Sequence, residues 1–152
     1  MVSREMNNMK AKSPILMVDA IIEKNEKIVL IERKIEPFKE MLAFPGGHVN
    51  YEETIEDAIR REVKEETSLN VELVDILGVY SDPNRDPRYH TVSIVFIAKP
   101  INGNLRAGSD AKDARWFKIY EIDPNKLAFD HGKIFKDYLR WKKEKKTYWS
   151  SK

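Results

Sequence analysis

The sequence predicts an α/β chain, a mixed β-sheet sandwiched between helices. Three observations carry that prediction. Apolar, β-branched runs recur along the chain with turn residues between them, and they outnumber the helical segments. One strongly patterned helix stands in the middle of the chain and another at its end. A length of 152 residues, with 41% hydrophobic and 34% charged side chains, is enough for one ordinary domain with its own core.

Residues 1–13 are polar with little periodicity and predict a loose N-terminal arm ahead of a single domain over 14–145. "PILMVDAIIE" (14–23) and "KIVLIERK" (27–34) are strand-like and flank "KNE", the pattern of a hairpin. "MLAFPGG" (41–47) predicts a short strand ending in a Pro-Gly-Gly turn. A helix follows over about 54–67. Two further strands, "NVELVDILGVYS" (70–81) and "TVSIVFIAKP" (91–100), enclose the loop "DPNRDPRYH". "NGN" (102–104) marks a turn and "ARWFKI" (114–119) a last strand. In "HGKIFKDYLRWKKEKK" the residues Ile134, Phe135, Tyr138, Leu139 and Trp141 share one helical face. Residues 146–152 read as a polar tail.

Composition narrows the chemistry. There are no cysteines, so disulfides, thiolate metal sites and a Cys nucleophile are excluded. A net charge of +2 gives no electrostatic case for nucleic acid. No apolar run reaches the length of a membrane span, and the N-terminus lacks an apolar signal core, so a cytoplasmic protein without a membrane partner is expected.

The central helix carries the most information. Thr54 suits its N-cap, with Asp57 three residues on. At about 100° per residue, Ile55, Ala58, Ile59 and Val63 form the core stripe. Glu56, Asp57, Arg60, Lys64 and Thr67 fall on the opposite, solvated side. Glu62 and Glu66 lie on the continuation of the apolar stripe, and Glu65 on its flank. Carboxylates crowded on an inward face repel and have raised pKa values unless a cation lies among them. Hard oxygen donors without Cys or His point to Mg²⁺, with Mn²⁺ as a substitute, shared with substrate phosphate oxygens. Gly46 and Gly47, just ahead of the helix, permit positive φ and close backbone approach to a ligand, with a free carbonyl to complete the coordination. Arg61, four residues before Glu65, is placed to ion-pair with it.

From Gly47 through Glu53 to "REVKEETSL", this segment resembles the Nudix box, G-x5-E-x7-R-E-U-x-E-E-x-G-U with U aliphatic. Glu53, Arg61, Glu62, Val63, Glu65, Glu66 and Leu69 match. Ser68 replaces the usual glycine at the left-handed helix end, where serine costs about 1 kcal/mol or takes another backbone geometry. The resemblance implies the Nudix fold over nearly the whole chain. It also implies hydrolysis of a nucleoside diphosphate linked to another moiety. It makes Glu62 and Glu66 principal metal ligands, Glu65 a further ligand or a base, and the Gly46 carbonyl a ligand. Glu53 and Arg61 become braces. The base is either a box glutamate or a loop carboxylate, for which Asp110 is the candidate, also as a metal ligand.

"SDPNRDPRYHTVS" (81–93) and "LAFDH" (127–131) resemble segments of the ADP-ribose pyrophosphatases of this family. Arg85 and Arg88, with Asp82 and Asp86 beside them, become candidates to grip phosphate or ribose hydroxyls, Arg33 a candidate phosphate contact, and Phe44, Tyr89 and Phe129 candidates for packing on adenine. His90 and His131 read as structural. The expected reaction converts ADP-ribose to AMP and ribose 5-phosphate. Nucleoside triphosphate or diadenosine polyphosphate hydrolysis, and ADP-ribose binding without cleavage, remain alternatives. From the length, no added DNA-binding domain is expected. The resemblance also suggests a homodimer.

Overall fold

In the computed structural model, residues 12–106 and 111–152 are described. Most of the expected arm and Asp110 lie outside the described residues. Eight strands and two α-helices make up the described fold, in the order β1 (Ile15–Lys24), β2 (Lys27–Arg33), β3 (Leu42–Ala43), β4 (Gly46–His48), α1 (Ile55–Thr67), β5 (Asn70–Tyr80), β6 (Thr91–Asn102), β7 (Ala111–Lys118), α2 (His131–Glu144) and β8 (Tyr148–Trp149). Hydrogen bonding runs β3-β2-β1-β6-β5-β8, with β4 added to β1 and β7 to β2. The sheet is mixed: β1 and β6, and β5 and β8, are parallel, while the other pairs are antiparallel.

Strand alternation explains the two layers of core. Along β1, Val18, Ala20 and Ile22 pack with Ala58, Ile59 and Val63 of α1, whereas Ile21 packs with Ile134, Phe135 and Tyr138 of α2. The sheet is thus sandwiched between the helices, as its sequence predicts. Asp19 shares the face of Ile21, which sends its carboxylate toward the start of α2. That parity places the functional cleft.

Several local expectations change. Gly46 and Gly47 form strand β4 rather than a turn, and neither has positive φ. They are glycines for want of space. A Cβ on Gly46 would stand 2.3 Å from Asp19 Oδ1, and one on Gly47 would stand 2.4 Å from the Glu62 carboxyl carbon. Thr67 is buried rather than solvated. Its hydroxyl donates to Val63 O and accepts from Leu69 N, while Arg106 N closes over its carbonyl. On α2, Leu139 is exposed and Asp137 is buried instead, where Tyr80, Lys133 and Arg140 all donate to its carboxylate. Three donors compensate a charge that the interior would otherwise reject. The expected tail supplies β8, because Tyr148 is an apolar anchor that the core takes in.

The cap of α1 agrees with its sequence: Thr54 Oγ1 accepts from Asp57 N at 3.0 Å. Asp57 does not complete a capping box and pairs with Arg60 instead. At the other end Ser68 adopts φ 66, ψ 9, and its N–H donates to Lys64 O, the geometry glycine normally supplies. Replacing Ser68 by Gly removes the left-handed strain of about 1 kcal/mol. Thermal unfolding of Ser68→Gly should rise by roughly 2–4 °C, whereas an unchanged or lower midpoint would show serine to be unstrained there.

Candidate active site

Arg61 is the hub of the site. It lies on α1, and its guanidinium reaches back over β4 to the loop before the helix. Nε and Nη2 donate to the two Glu53 oxygens at 2.8 and 2.9 Å, and Nη2 also donates to His48 O at 2.9 Å. Nη1 donates to Glu62 Oε1 at 2.7 Å and only weakly to Glu65 Oε2, at 3.4 Å. The i,i+4 ion pair with Glu65 is therefore the minor contact. A planar fork meeting a carboxylate with two bonds fixes both partners in position. Hydrogen bonds from Arg61, then the Asn50 N–H, hold the Glu53 carboxyl down at about 2, and the same bond to Glu53 raises Arg61.

The three glutamates of α1 differ in environment. Glu65 is exposed, with 59% of its side chain open. Glu62 is mostly covered and packs against Gly47. Burial raises its pKa, Arg61 opposes that, and the neighbouring Glu65 charge adds to it. Glu66 is buried, and its Oε1 accepts from Gly46 N at 3.0 Å. Ala20 N donates to Pro45 O, so Asp19 and Gly46 form a non-hydrogen-bonded pair and the Gly46 N–H and C=O point away from β1. Two carboxylates thus converge on one glycine strand that presents its carbonyl along the same edge. Among the described residues, no three acidic or imidazole groups gather around one point. The donor set nevertheless fits a hard divalent cation held by one or two carboxylates and completed by substrate oxygens. The residual charge on Glu62 is what such a cation would offset.

A cleft opens beside β4, lined by Arg33, Phe44, Gly46, Gly47, Glu66, Arg85, Asp86, Arg88 and Phe129, all singled out from sequence. Met17, Asp19, Ile31, Ala43 and His131 complete the lining. Their roles separate on inspection. Arg85 is buried, and its fork closes on Asp130 at 2.8 and 2.9 Å while Nη1 donates to Thr91 Oγ1 at 2.7 Å. It holds the loop to α2, so the expected grip on a ligand falls to other groups. Phe44 is a core ring stacked on His131, with almost no surface to offer. Asp82 makes a turn by accepting from Asn84 N, and His90 contacts Ser81 O.

Arg88 remains partly open, paired with the buried Asp86 at 2.9 and 3.1 Å. Its guanidinium lies over Tyr89 and, from 5.8 Å, faces the Phe129 ring. Arg33 covers the same ring at 4.8 Å, and its Nε donates to Pro37 O. Burial, then repulsion from Arg88, lowers the Arg33 pKa. Two guanidiniums converging on one ring at a cleft mouth form a place for an anion.

The polar floor was missed from sequence. Ser93 Oγ donates to Asp19 Oδ2 at 2.5 Å, and His131 Nδ1 accepts from Phe44 N at 3.1 Å. Nδ1 accepts, so Nε2 carries the imidazole proton, 4.0 Å from Asp19 Oδ1. Burial keeps this histidine neutral, with Asp19 opposing. The available signal was a lone Asp interrupting the apolar run "PILMVDAIIE".

The Glu53 environment has a pH consequence. Its folded pKa lies below the ordinary 4.5, at about 2, so its contribution is present above pH 4.5 and is lost as pH falls through 2. Glu62 acts in the opposite sense. Thermal unfolding of the wild type measured from pH 5 to 2 should lose stability across that window. The Glu53→Gln curve should be flatter there, and superimposable slopes would remove Glu53 from the acid response.

A NUDIX domain model matches residues 14–138. The chain is 56% identical over 129 residues to the ADP-ribose pyrophosphatase of Methanocaldococcus jannaschii, covering 85% of this chain and 75% of that protein. A NUDIX hydrolase from Nitrosomonas europaea superposes with a TM-score of 0.79 at 26% identity, over 91% of this chain and 77% of that one. A bifunctional NMN adenylyltransferase/ADP ribose pyrophosphatase from Francisella tularensis superposes with a TM-score of 0.74 at 29% identity, over 91% and 45%. With its box residues assembled around Arg61 on this fold, the chain belongs to the NUDIX family and is a Nudix hydrolase.

Proposed function

We propose that this Nudix hydrolase cleaves ADP-ribose to AMP and ribose 5-phosphate with Mg²⁺, which Mn²⁺ replaces. The observation that carries the reading is the join of two features in one cleft. Gly46, Gly47 and Glu66 line the cleft whose mouth holds Arg33 and Arg88 beside the Phe129 ring, and Glu62 packs against Gly47 at its edge. The 56% identical relative named ADP-ribose pyrophosphatase supports the substrate. A divalent cation, when bound, neutralises diphosphate oxygens and acidifies a water.

The chain's own residues do the rest. Glu62, Glu66 and the Gly46 carbonyl would hold the cation, with Asp110 a further candidate ligand. Arg61, fixed by Glu53, keeps the Glu62 carboxylate oriented, and Glu65, nearest to solvent, is the box residue placed to accept a proton from the attacking water. Arg33 and Arg88 take negative charge of the substrate, and the Phe129 ring beneath them holds both guanidiniums at the mouth. Water adds to one phosphorus and the bridging P–O bond breaks, so each product carries one phosphate and the water proton passes to the base. Positioning and charge stabilisation supply most of the rate.

A homodimer and a cytoplasmic location complete the proposal. Exposed Leu16, Val79 and Trp149 support the first.

Phosphatase-coupled phosphate release from ADP-ribose, with product identification, tests the reaction. AMP and ribose 5-phosphate should appear only with Mg²⁺ or Mn²⁺, and Glu62→Gln should lose several orders of magnitude in rate while keeping its unfolding midpoint. Saturable binding without turnover would make the protein a sensor. Preferred release of pyrophosphate from triphosphates, or of ATP from dinucleotides, would reassign the substrate.

A further inference from the structure

The C-terminal strand reaches the loop that walls one side of the cleft. β8 runs parallel to the end of β5, with Tyr148 beside Gly78 and Trp149 beside Val79. Tyr148 is 3% exposed and seated in the core under α2. This docking needs glycine at 78, because a Cβ there would stand 2.1 Å from Tyr148 O. Immediately beyond the strand, Ser150 Oγ accepts from Ser81 N at 2.8 Å and from Asp82 N at 3.1 Å. Those are the first two amides after β5.

We propose that Ser150 is a positioning residue for substrate binding: β8 carries its hydroxyl to the root of loop 81–90, and that anchor sets where Asp86 and Arg88 stand in the cleft. The inference rests on the reading that this cleft takes ADP-ribose. The loop is a chain of dependent contacts. Asp82, held by Ser150, accepts from Asn84 N through Oδ1 and from Arg85 N through its carbonyl. Arg85 then closes on Asp130 and Thr91, and Asp86 and Arg88 follow directly. Arg85 fixes the middle of the loop and Ser150 its start. Without the hydroxyl the two amides turn to water and the segment samples other directions, so binding must order it anew. The matched NUDIX domain ends at residue 138, ahead of β8 and Ser150.

The test uses the full chain with Ser150→Ala, Ser150→Thr and Gly78→Ala. It measures KM and kcat for ADP-ribose, the unfolding midpoint, and hydrogen exchange across 81–90. Ser150→Ala should raise KM roughly three- to ten-fold, with kcat within about twofold and a nearly unchanged midpoint. The Ser81 and Asp82 amides should exchange faster, and Ser150→Thr should restore both readouts. Gly78→Ala, which displaces the strand without touching the hydroxyl, should reproduce the KM effect. Unchanged KM and loop exchange in Ser150→Ala would overturn the proposal, as would a KM rise that threonine fails to reverse. A wild-type protein that leaves ADP-ribose intact would instead overturn the proposed function, and loop exchange in Ser150→Ala would then decide the anchor alone.

Discussion

The bidentate pairing of Arg61 with Glu53 is the constraint on which the site depends. It spans the turn between β4 and α1 and leaves Nη1 aimed at Glu62. Without it, the helix would still pack through Ala58, Ile59 and Val63, but nothing would fix the Glu62 carboxylate against the strand. An ion pair of this kind contributes less through net stability than through geometry. It turns a flexible glutamate into an oriented one.

The glycine strand is the complementary surface. Side chains at 46 and 47 would occupy the positions now held by Asp19 and Glu62. The backbone of β4 can therefore lie directly between the carboxylates of α1 on one side and the acidic floor of β1 on the other. Glycine serves here by what it omits, and the unstrained backbone of β4 shows that conformational freedom is not the reason. The register with β1 then turns the Gly46 amide and carbonyl outward, where Glu66 takes the amide.

The walls of the cleft come from distant parts of the chain that meet at the N-terminal end of α2. Asp130 receives Arg85, Phe129 receives Arg33 and Arg88, and His131 receives Phe44. Phe129 itself has positive φ, so the bend that ends "LAFD" turns its ring toward the mouth. The loop after β5 is ordered by these contacts and, at its root, by the C-terminal strand. The groups that line the cleft are thus placed by a few buried contacts on a rigid scaffold.

The order of strand-like and helical segments determined the sandwich, because β1 and β2 are near-continuous apolar runs that must be covered on both faces and α1 has a narrow apolar stripe with one way to face a core. Periodicity also located Glu62 and Glu66 on the inward side of α1, since helix geometry ties their direction to that of Ile55. Tertiary structure decided whatever depended on partners remote in the chain. Arg85 reads as a phosphate ligand until Asp130 and Thr91 are brought beside it, Thr67 reads as solvated until Arg106 closes over it, and Tyr148 reads as tail until Gly78 leaves it room. Local sequence fixes which way a side chain points. What it meets there depends on segments dozens of residues away, brought near only by packing.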